Sequence, residues 1–239
     1  MNKPFLTARW EHVILLNYAV PAGILEPRVP RGTELDTWQG VTLVSLVGFL
    51  FADTRVRGVA IPGHREFEEV NLRFYVRRRT DEAVRRAVVF IRELVPRRAV
   101  PAVARWVYNE PYLTVPMGHA ISVDADSGGP AHYSWRFRGA PYALWAYVRG
   151  PAQPLTEGSE AEFVTEHHWG YTRQRDGGTL EYRVERPPWH VWTRAEARFE
   201  GPAADLYGDD FGSILAAPPR SVYVAVGSAV AVGFGRRVS

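Results

Sequence analysis

A carboxylate, an amide and a guanidinium stand at alternate positions in Glu69, Asn71 and Arg73. Alternate residues of a β-strand share one face about 7 Å apart. Facing a cavity, Arg73 would grip a substrate carboxylate through two parallel hydrogen bonds, and Glu69 would act as a general acid or base. Facing solvent, the three would be an ordinary polar face with Val70, Leu72 and Phe74 in the core, and alternation alone favours this second arrangement. Arg92 and Glu93 interrupt a run at 87–95 that is otherwise apolar on both faces. An isolated buried charge is costly, so each needs a partner. Glu69 with Arg92, or Arg73 with Glu93, would pair across neighbouring strands if the register allows, as a structural ion pair or as part of a site. Asn109, Glu110 and Tyr112 follow a predicted helix and lead to Met117. They either border a pocket mouth or form a helix-end loop closed by Pro111.

Other chemistries lose support. The chain has no cysteine, which removes disulfides, thiolate catalysis and Cys-based metal sites. The seven histidines include no H-E-x-x-H and no i, i+4 pair, and neither a metal nor another cofactor is expected. His167 and His168 are consecutive on a predicted strand and would point to opposite faces. His119 lies close to Met117 and reads as a surface histidine or a pocket acid/base. No G-x-S-x-G elbow and no glycine-rich phosphate loop is present.

The elements that must position these groups read mostly as strand. With 239 residues, 46% hydrophobic and 23% charged, the composition is that of an ordinary globule, expected as one domain over 1–239. Net charge is only +3, and Lys3 is the sole lysine among 29 basic residues. The runs Arg77-Arg78-Arg79, Arg85-Arg86 and Arg97-Arg98 form either an anionic-partner patch or strand rims, and without a recognised motif no nucleic-acid partner is expected. The N-terminus lacks a signal-peptide stretch and no apolar run spans a bilayer, so a cytoplasmic protein without membrane contact is expected. Strands are predicted at 41–51, 67–77, 87–95, 162–173, 179–186, 189–199, 221–226 and 229–234. The last two are broken at Gly227-Ser228, and a hairpin turn falls at Asp176-Gly177-Gly178. Helix is scarce: a short turn at 21–26, and 98–109, where Ala99, Val100, Val103, Trp106 and Val107 share a face. The fold class is mainly β with few helices (α+β), an antiparallel sheet closing on itself with one helix against it; two packed sheets fit the same pattern.

Three stretches carry a family resemblance: 43–49, LVSLVGF; 67–77, FEEVNLRFYVR; and Tyr108-Asn109-Glu110-Pro111-Tyr112 with Pro116-Met117. They resemble the YqjF-like family of uncharacterised bacterial proteins over nearly the whole chain. The match loosens toward Thr165-Glu166-His167-His168-Trp169 and Pro187-Pro188-Trp189. That family looks like a branch of the acetoacetate-decarboxylase-like superfamily. The resemblance implies a cone or barrel of antiparallel strands around a central pocket, in a homo-oligomer. The decarboxylase forms a Schiff base through a lysine directly after a proline, where this chain has Pro116-Met117. A thioether forms no imine, so the resemblance implies a pocket protein without lysine chemistry. It would bind a small organic acid through Glu69, Asn71, Arg73, Arg92, Glu93, Asn109, Glu110 and Met117. The alternatives are a lyase or isomerase acting on a keto acid with Glu69 as catalytic group, or an interaction module whose cone is filled by side chains.

Overall fold

The computed structural model describes residues 3–60, 63, 65–96 and 110–238. The predicted helix at 98–109, and Asn109 with it, lies outside the described residues. The strands are β1 (Leu6–Ala19), β2 (Glu34–Leu35), β3 (Leu43–Val56), β4 (Val59–Ala60), β5 (Phe67–Arg79), β6 (Val84–Val95), β7 (Tyr112–Thr114), β8 (Met117–Ile121) and β9 (Gly128–Phe137). They continue as β10 (Ala140–Arg149), β11 (Gln153–Pro154), β12 (Trp169–Arg173), β13 (Thr179–Glu185), β14 (His190–Trp192), β15 (Ala195–Glu200), β16 (Ser221–Val232) and β17 (Arg236–Val238). Short helices cover Ala22–Leu25, Glu160–Thr165, Ala203–Tyr207 and Asp209–Leu215.

Seven strands close a ring in the order β16-β1-β3-β5-β6-β12-β13, with β13 returning to β16 through Val184↔Val232 and Glu185↔Ala231. The expected closed sheet is therefore present. Its pairings are antiparallel except β6–β12, which runs parallel through Trp169↔Ala87 and Gly170↔Val88. A second antiparallel sheet, β15-β10-β9-β8, lies against the outside of the barrel. Ile14, Leu16, Val44, Leu46, Leu72 and Phe74 of the barrel share one apolar cluster with Tyr133, Trp135, Tyr142 and Leu144 of that sheet. The approach is close: a Cβ on Gly48 would stand 2.7 Å from Leu144 Cδ2. The barrel interior has its own cluster, including Leu15, Val47, Phe49, Phe51, Tyr75, Tyr182 and Val184. β5 therefore has no solvent face, and each residue from Phe67 to Val76 is buried. Of the two arrangements open for its polar face, the solvated one does not occur, because the second sheet covers what would have been the outside.

Three predicted elements are corrected. The strand expected at 162–173 begins only at Trp169, because Glu160–Thr165 is helical. Ser159 Oγ accepts from the Glu162 amide at 3.1 Å, and Glu160 and Glu162 sit in the positive first turn. The strand expected at 189–199 is two, β14 and β15, in different sheets. The expected break at Gly227-Ser228 is absent. Gly227, at φ +90°, keeps β16 continuous where a Cβ would lie 1.9 Å from the Trp10 carbonyl oxygen.

The arginine runs are strand rims. Arg77 and Arg79 donate to Glu34, and Arg86 donates to Asp36. Glu181, 1% exposed, accepts from Tyr171 Oη at 2.9 Å, Arg85 Nη1 at 2.7 Å and Arg236 Nη2 at 2.7 Å, with Arg78 Nη1 at 3.4 Å. Burial alone would raise this carboxyl, but the Arg236, Tyr171 and Arg85 hydrogen bonds hold it below its ordinary range. Arg97 and Arg98 lie outside the described residues. No helix among the described residues is long and apolar enough to cross a membrane.

Candidate functional site

The inner face of β5 carries Phe67, Glu69, Asn71, Arg73 and Tyr75. Cross-strand register fixes their neighbours. Asn71 sits opposite Val47 on β3 and Glu93 on β6, and Glu93 sits beside Tyr112 on β7. Directly paired residues project to the same side of a sheet, so Val47, Asn71, Glu93 and Tyr112 form one inward row. A cavity of about 40 Å³ of room for the centres of water-sized molecules opens against this face. Glu69, Asn71, Arg73 and His167 supply its polar wall, and Trp10, Phe49, Phe51, Phe90, Trp169 and Trp189 are among its apolar walls. A mostly apolar hollow with a few converging polar groups is the usual build of a small-molecule site.

One end is basic. Arg73 Nη2 donates to the Val164 carbonyl at 3.1 Å, and Tyr75 Oη donates to the same oxygen at 3.3 Å. Tyr75 also bonds Ser45, whose hydroxyl donates to Asn17 Oδ1 at 2.5 Å. Phe163 of the Glu160–Thr165 helix packs edge-on to Tyr75 with ring centres 5.3 Å apart. The His167 ring stacks on Tyr75 at 4.6 Å, and the Arg73 guanidinium carbon lies 5.9 Å from the same ring centre. His167 is 7% exposed, and among the described residues neither of its ring nitrogens has a hydrogen-bond partner; nor has Arg73 Nε. Burial first, then the charges of Arg86, Arg73 and Arg186, press His167 well below its ordinary range, so it is neutral at pH 7. Arg186 is itself committed, donating to Glu166 Oε1 at 3.1 Å and to the Thr165 carbonyl, with its guanidinium carbon 3.8 Å from the Trp189 ring centre.

The other end is acidic. Asn71 Nδ2 donates to Glu69 Oε1 at 2.9 Å, which leaves Glu69 Oε2 and Asn71 Oδ1 without partners among the described residues. Glu93, fully buried, stands behind Asn71 beside Tyr112 and Glu110. Glu110 Oε1 accepts from Tyr182 Oη at 2.8 Å and Thr172 Oγ1 at 3.0 Å. Tyr182 can lie there because Gly170 has no side chain: a Cβ would meet the Tyr182 ring at 2.1 Å. Burial raises all three carboxyls; the charge of Glu110 adds to the rise at Glu69, those of Glu110 and Glu69 add to the rise at Glu93, and hydrogen bonds to Tyr182, Glu93 and Thr172 partly offset it at Glu110. Glu69 is pushed up to about 8, with Asn71 and Arg73 pulling the other way. Glu93 is raised well above its ordinary range and Glu110 is raised.

The structure thus brings Glu69, Asn71 and Arg73 to the cavity wall, with Glu93 and Glu110 close to Glu69 but not lining the cavity. Arg92 and Met117 are elsewhere. A bulge in the β5–β6 ladder between Leu72 and Arg73 sets Arg92 opposite Leu72 on the outer face, so the expected Glu69–Arg92 pair does not form. Arg73 and Glu93 make no ion pair either: Arg73 turns to Val164 while Glu93 faces other acids. Met117, on β8 of the second sheet, pairs with Trp135 on β9 and packs into the layer between the sheets, away from the cavity. His119, an exposed residue of β8, bonds the buried Glu68 at 2.7 Å. His167 is the group that sequence reasoning did not single out. It lies between the helix and β12 rather than on a strand, turned inward while His168 points to Glu166.

Comparison with known proteins places this architecture. Residues 7–228 match the family model DUF2071, described as an uncharacterized conserved protein. The chain belongs to the DUF2071 family. A relative, the uncharacterized protein YqjF of Bacillus subtilis (strain 168), is 29% identical over 184 residues, 75% of this chain and 72% of that one. Three solved structures superpose over the whole DUF2071 chain. The enduracididine biosynthesis enzyme MppR gives a TM-score of 0.66 at 16% identity over 89% of its own length. Acetoacetate decarboxylase from Legionella pneumophila gives 0.64 at 14% over 90%. An acetoacetate decarboxylase-like enzyme from Sphingomonas wittichii RW1 gives 0.65 at 13% over 94%. At these identities the likeness concerns the fold. This DUF2071 chain has the fold of the acetoacetate decarboxylase-like structures.

Proposed function

We propose that the barrel interior binds a small carboxylic acid, with the carboxylate at Arg73 and His167. The observation that carries this reading is Arg73 itself. It is 9% exposed and lines the cavity, it makes no ion pair among the described residues, and its Nε donor is unpartnered. A buried cation without a counterion is unfavourable, and a ligand carboxylate accepting from Nε supplies one. A neutral His167 beside it offers one N–H donor and one acceptor to the same ligand. The small volume favours a ligand of few atoms. MppR, which shares the fold, has been solved in complex with pyruvate, and pyruvate is the natural probe. Arg73→Gln is expected to weaken pyruvate binding at least tenfold by calorimetry, with a small change in melting temperature. Unchanged pyruvate binding with a large fall in melting temperature would make Arg73 a structural residue.

One observation favours a catalytic version. A carboxyl held near 8 is well placed to take and return a proton at neutral pH, so Glu69 would act as acid/base on a keto acid in the same cavity. No imine is involved in this chemistry, since Lys3, the sole lysine, is exposed and does not line the cavity. In this reading the protein speeds exchange of the pyruvate methyl protons with D2O, and Glu69→Gln ends that acceleration. Equal exchange in parent and variant would remove Glu69 from the role.

A further inference from the structure

The two ends of the cavity are chemically opposite, and that polarity specifies more than an acid. Resting on the carboxylate reading of Arg73, we propose that the ligand class is a small amino acid, with its carboxylate at Arg73 and His167 and its ammonium at Glu69 and Asn71. The two atoms that Glu69 and Asn71 present to the cavity are both oxygens. Asn71 spends its amide on Glu69 Oε1, leaving Glu69 Oε2 and Asn71 Oδ1 without partners among the described residues. Both residues are buried to 2% exposure or less. Glu93, across the ladder from Asn71, adds a further acid behind this end, and among the described residues no cationic side chain other than Arg73 lines the cavity. An ammonium brings three donors to this end and no acceptor, and it meets Asn71 Oδ1 directly and Glu69 once that carboxyl has released its proton. The β5 spacing sets the span. Asn71 and Arg73 are one alternate step apart, about 7 Å along the strand, and the Arg73 guanidinium lies toward Tyr75, on the side away from Asn71. With a hydrogen bond of about 2.9 Å at each end, a ligand whose two charges are joined by a short carbon chain suits a span of that order.

The proposal has a proton signature. Glu69 holds its proton in the free protein, and an ammonium beside it favours the carboxylate, so amino-acid binding releases a proton where binding of a plain acid does not.

The test uses three probes of matched size: propionate, propylamine and β-alanine, titrated calorimetrically at pH 7 in two buffers of different ionisation enthalpy. β-Alanine is expected to bind at least tenfold tighter than propionate and more tightly than propylamine, with proton release seen for β-alanine and not for propionate. Glu69→Gln is expected to collapse the β-alanine to propionate ratio toward one, and circular dichroism verifies that the variant is folded. If propionate and β-alanine bind equally to the parent, the amino-acid assignment falls while the carboxylate reading stands. The assignment also falls if the preference for β-alanine survives in Glu69→Gln. If neither probe binds, both readings fall together.

Discussion

Glu69→Gln is expected to make the protein more stable in mild alkali and to flatten its stability against pH. The sign follows from the direction of the shift. The Glu69 proton is held to about pH 8 in the folded protein, against an ordinary value of 4.5. Its contribution is thus present in full below 4.5 and lost as pH rises through about 8. Between those limits one fully shifted carboxyl changes stability by about 1.4 kcal/mol per pH unit. Mutual influence with Glu93 and Glu110 spreads the effect over several groups, so about 2 kcal/mol at pH 8 is the expected gain of the variant over the parent. His167 acts in the opposite sense. Its depressed folded value means that its contribution is present above 6.5 and lost as pH falls, which sets the acid limb in parent and variant alike. Denaturant melts at pH 6.5, 7.25 and 8 measure the slope. Identical slopes for parent and variant would show that Glu69 ionises normally inside the barrel.

The second large effect lies away from the cavity. Glu181→Ala strips one carboxylate from three guanidiniums and the Tyr171 hydroxyl at once. Breaking a buried pair by removing one partner costs about 3 to 5 kcal/mol because the remaining charge stays buried. Arg236 is mostly exposed while Arg85 and Arg78 are less so, and the lower figure, about 3 kcal/mol, is expected. The fall should be large in a denaturant melt at pH 7, while pyruvate binding by the folded fraction stays close to that of the parent. A melting temperature within a degree of the parent would show that these arginines find water or other partners.

Much of the barrel was legible because its strands alternate or run apolar. β5 was read to within two residues, and the Asp176-Gly177-Gly178 turn falls in the β12–β13 hairpin as expected. What alternation does not convey is how many layers bury a strand. Val70 and Leu72 face core, which implied solvent for Glu69 and Asn71; only the second sheet, formed by residues distant in sequence, reveals that both faces are covered. That sheet went unpredicted although Tyr133 and Trp135 alternate with His132, Ser134 and Arg136, and Arg138-Gly139 beyond them is a turn with positive φ at both residues. β1 was likewise unpredicted. Its pattern changes phase around His12, at φ 54°, so that Trp10 and Val13 both reach the interior. The position of Met117 was set by the proline-lysine analogy rather than by local pattern, and the fold puts it in the other sheet. His167 was invisible for a related reason: Val164-Thr165 reads as strand until the Ser159 cap converts the segment to a helix, and that helix turns the imidazole inward.

The absence of a solvent face on β5 constrains how this scaffold can diversify. Altering an inward residue of that strand shifts a backbone whose reverse side is packed against Tyr133 and Leu144, so an exchange that retunes recognition also taxes folding. New specificities are more readily acquired through Phe90, Trp169 and Trp189, which reach the same hollow from other segments. Descendants of this chain should therefore keep the β5 sequence nearly fixed while their aromatic walls drift.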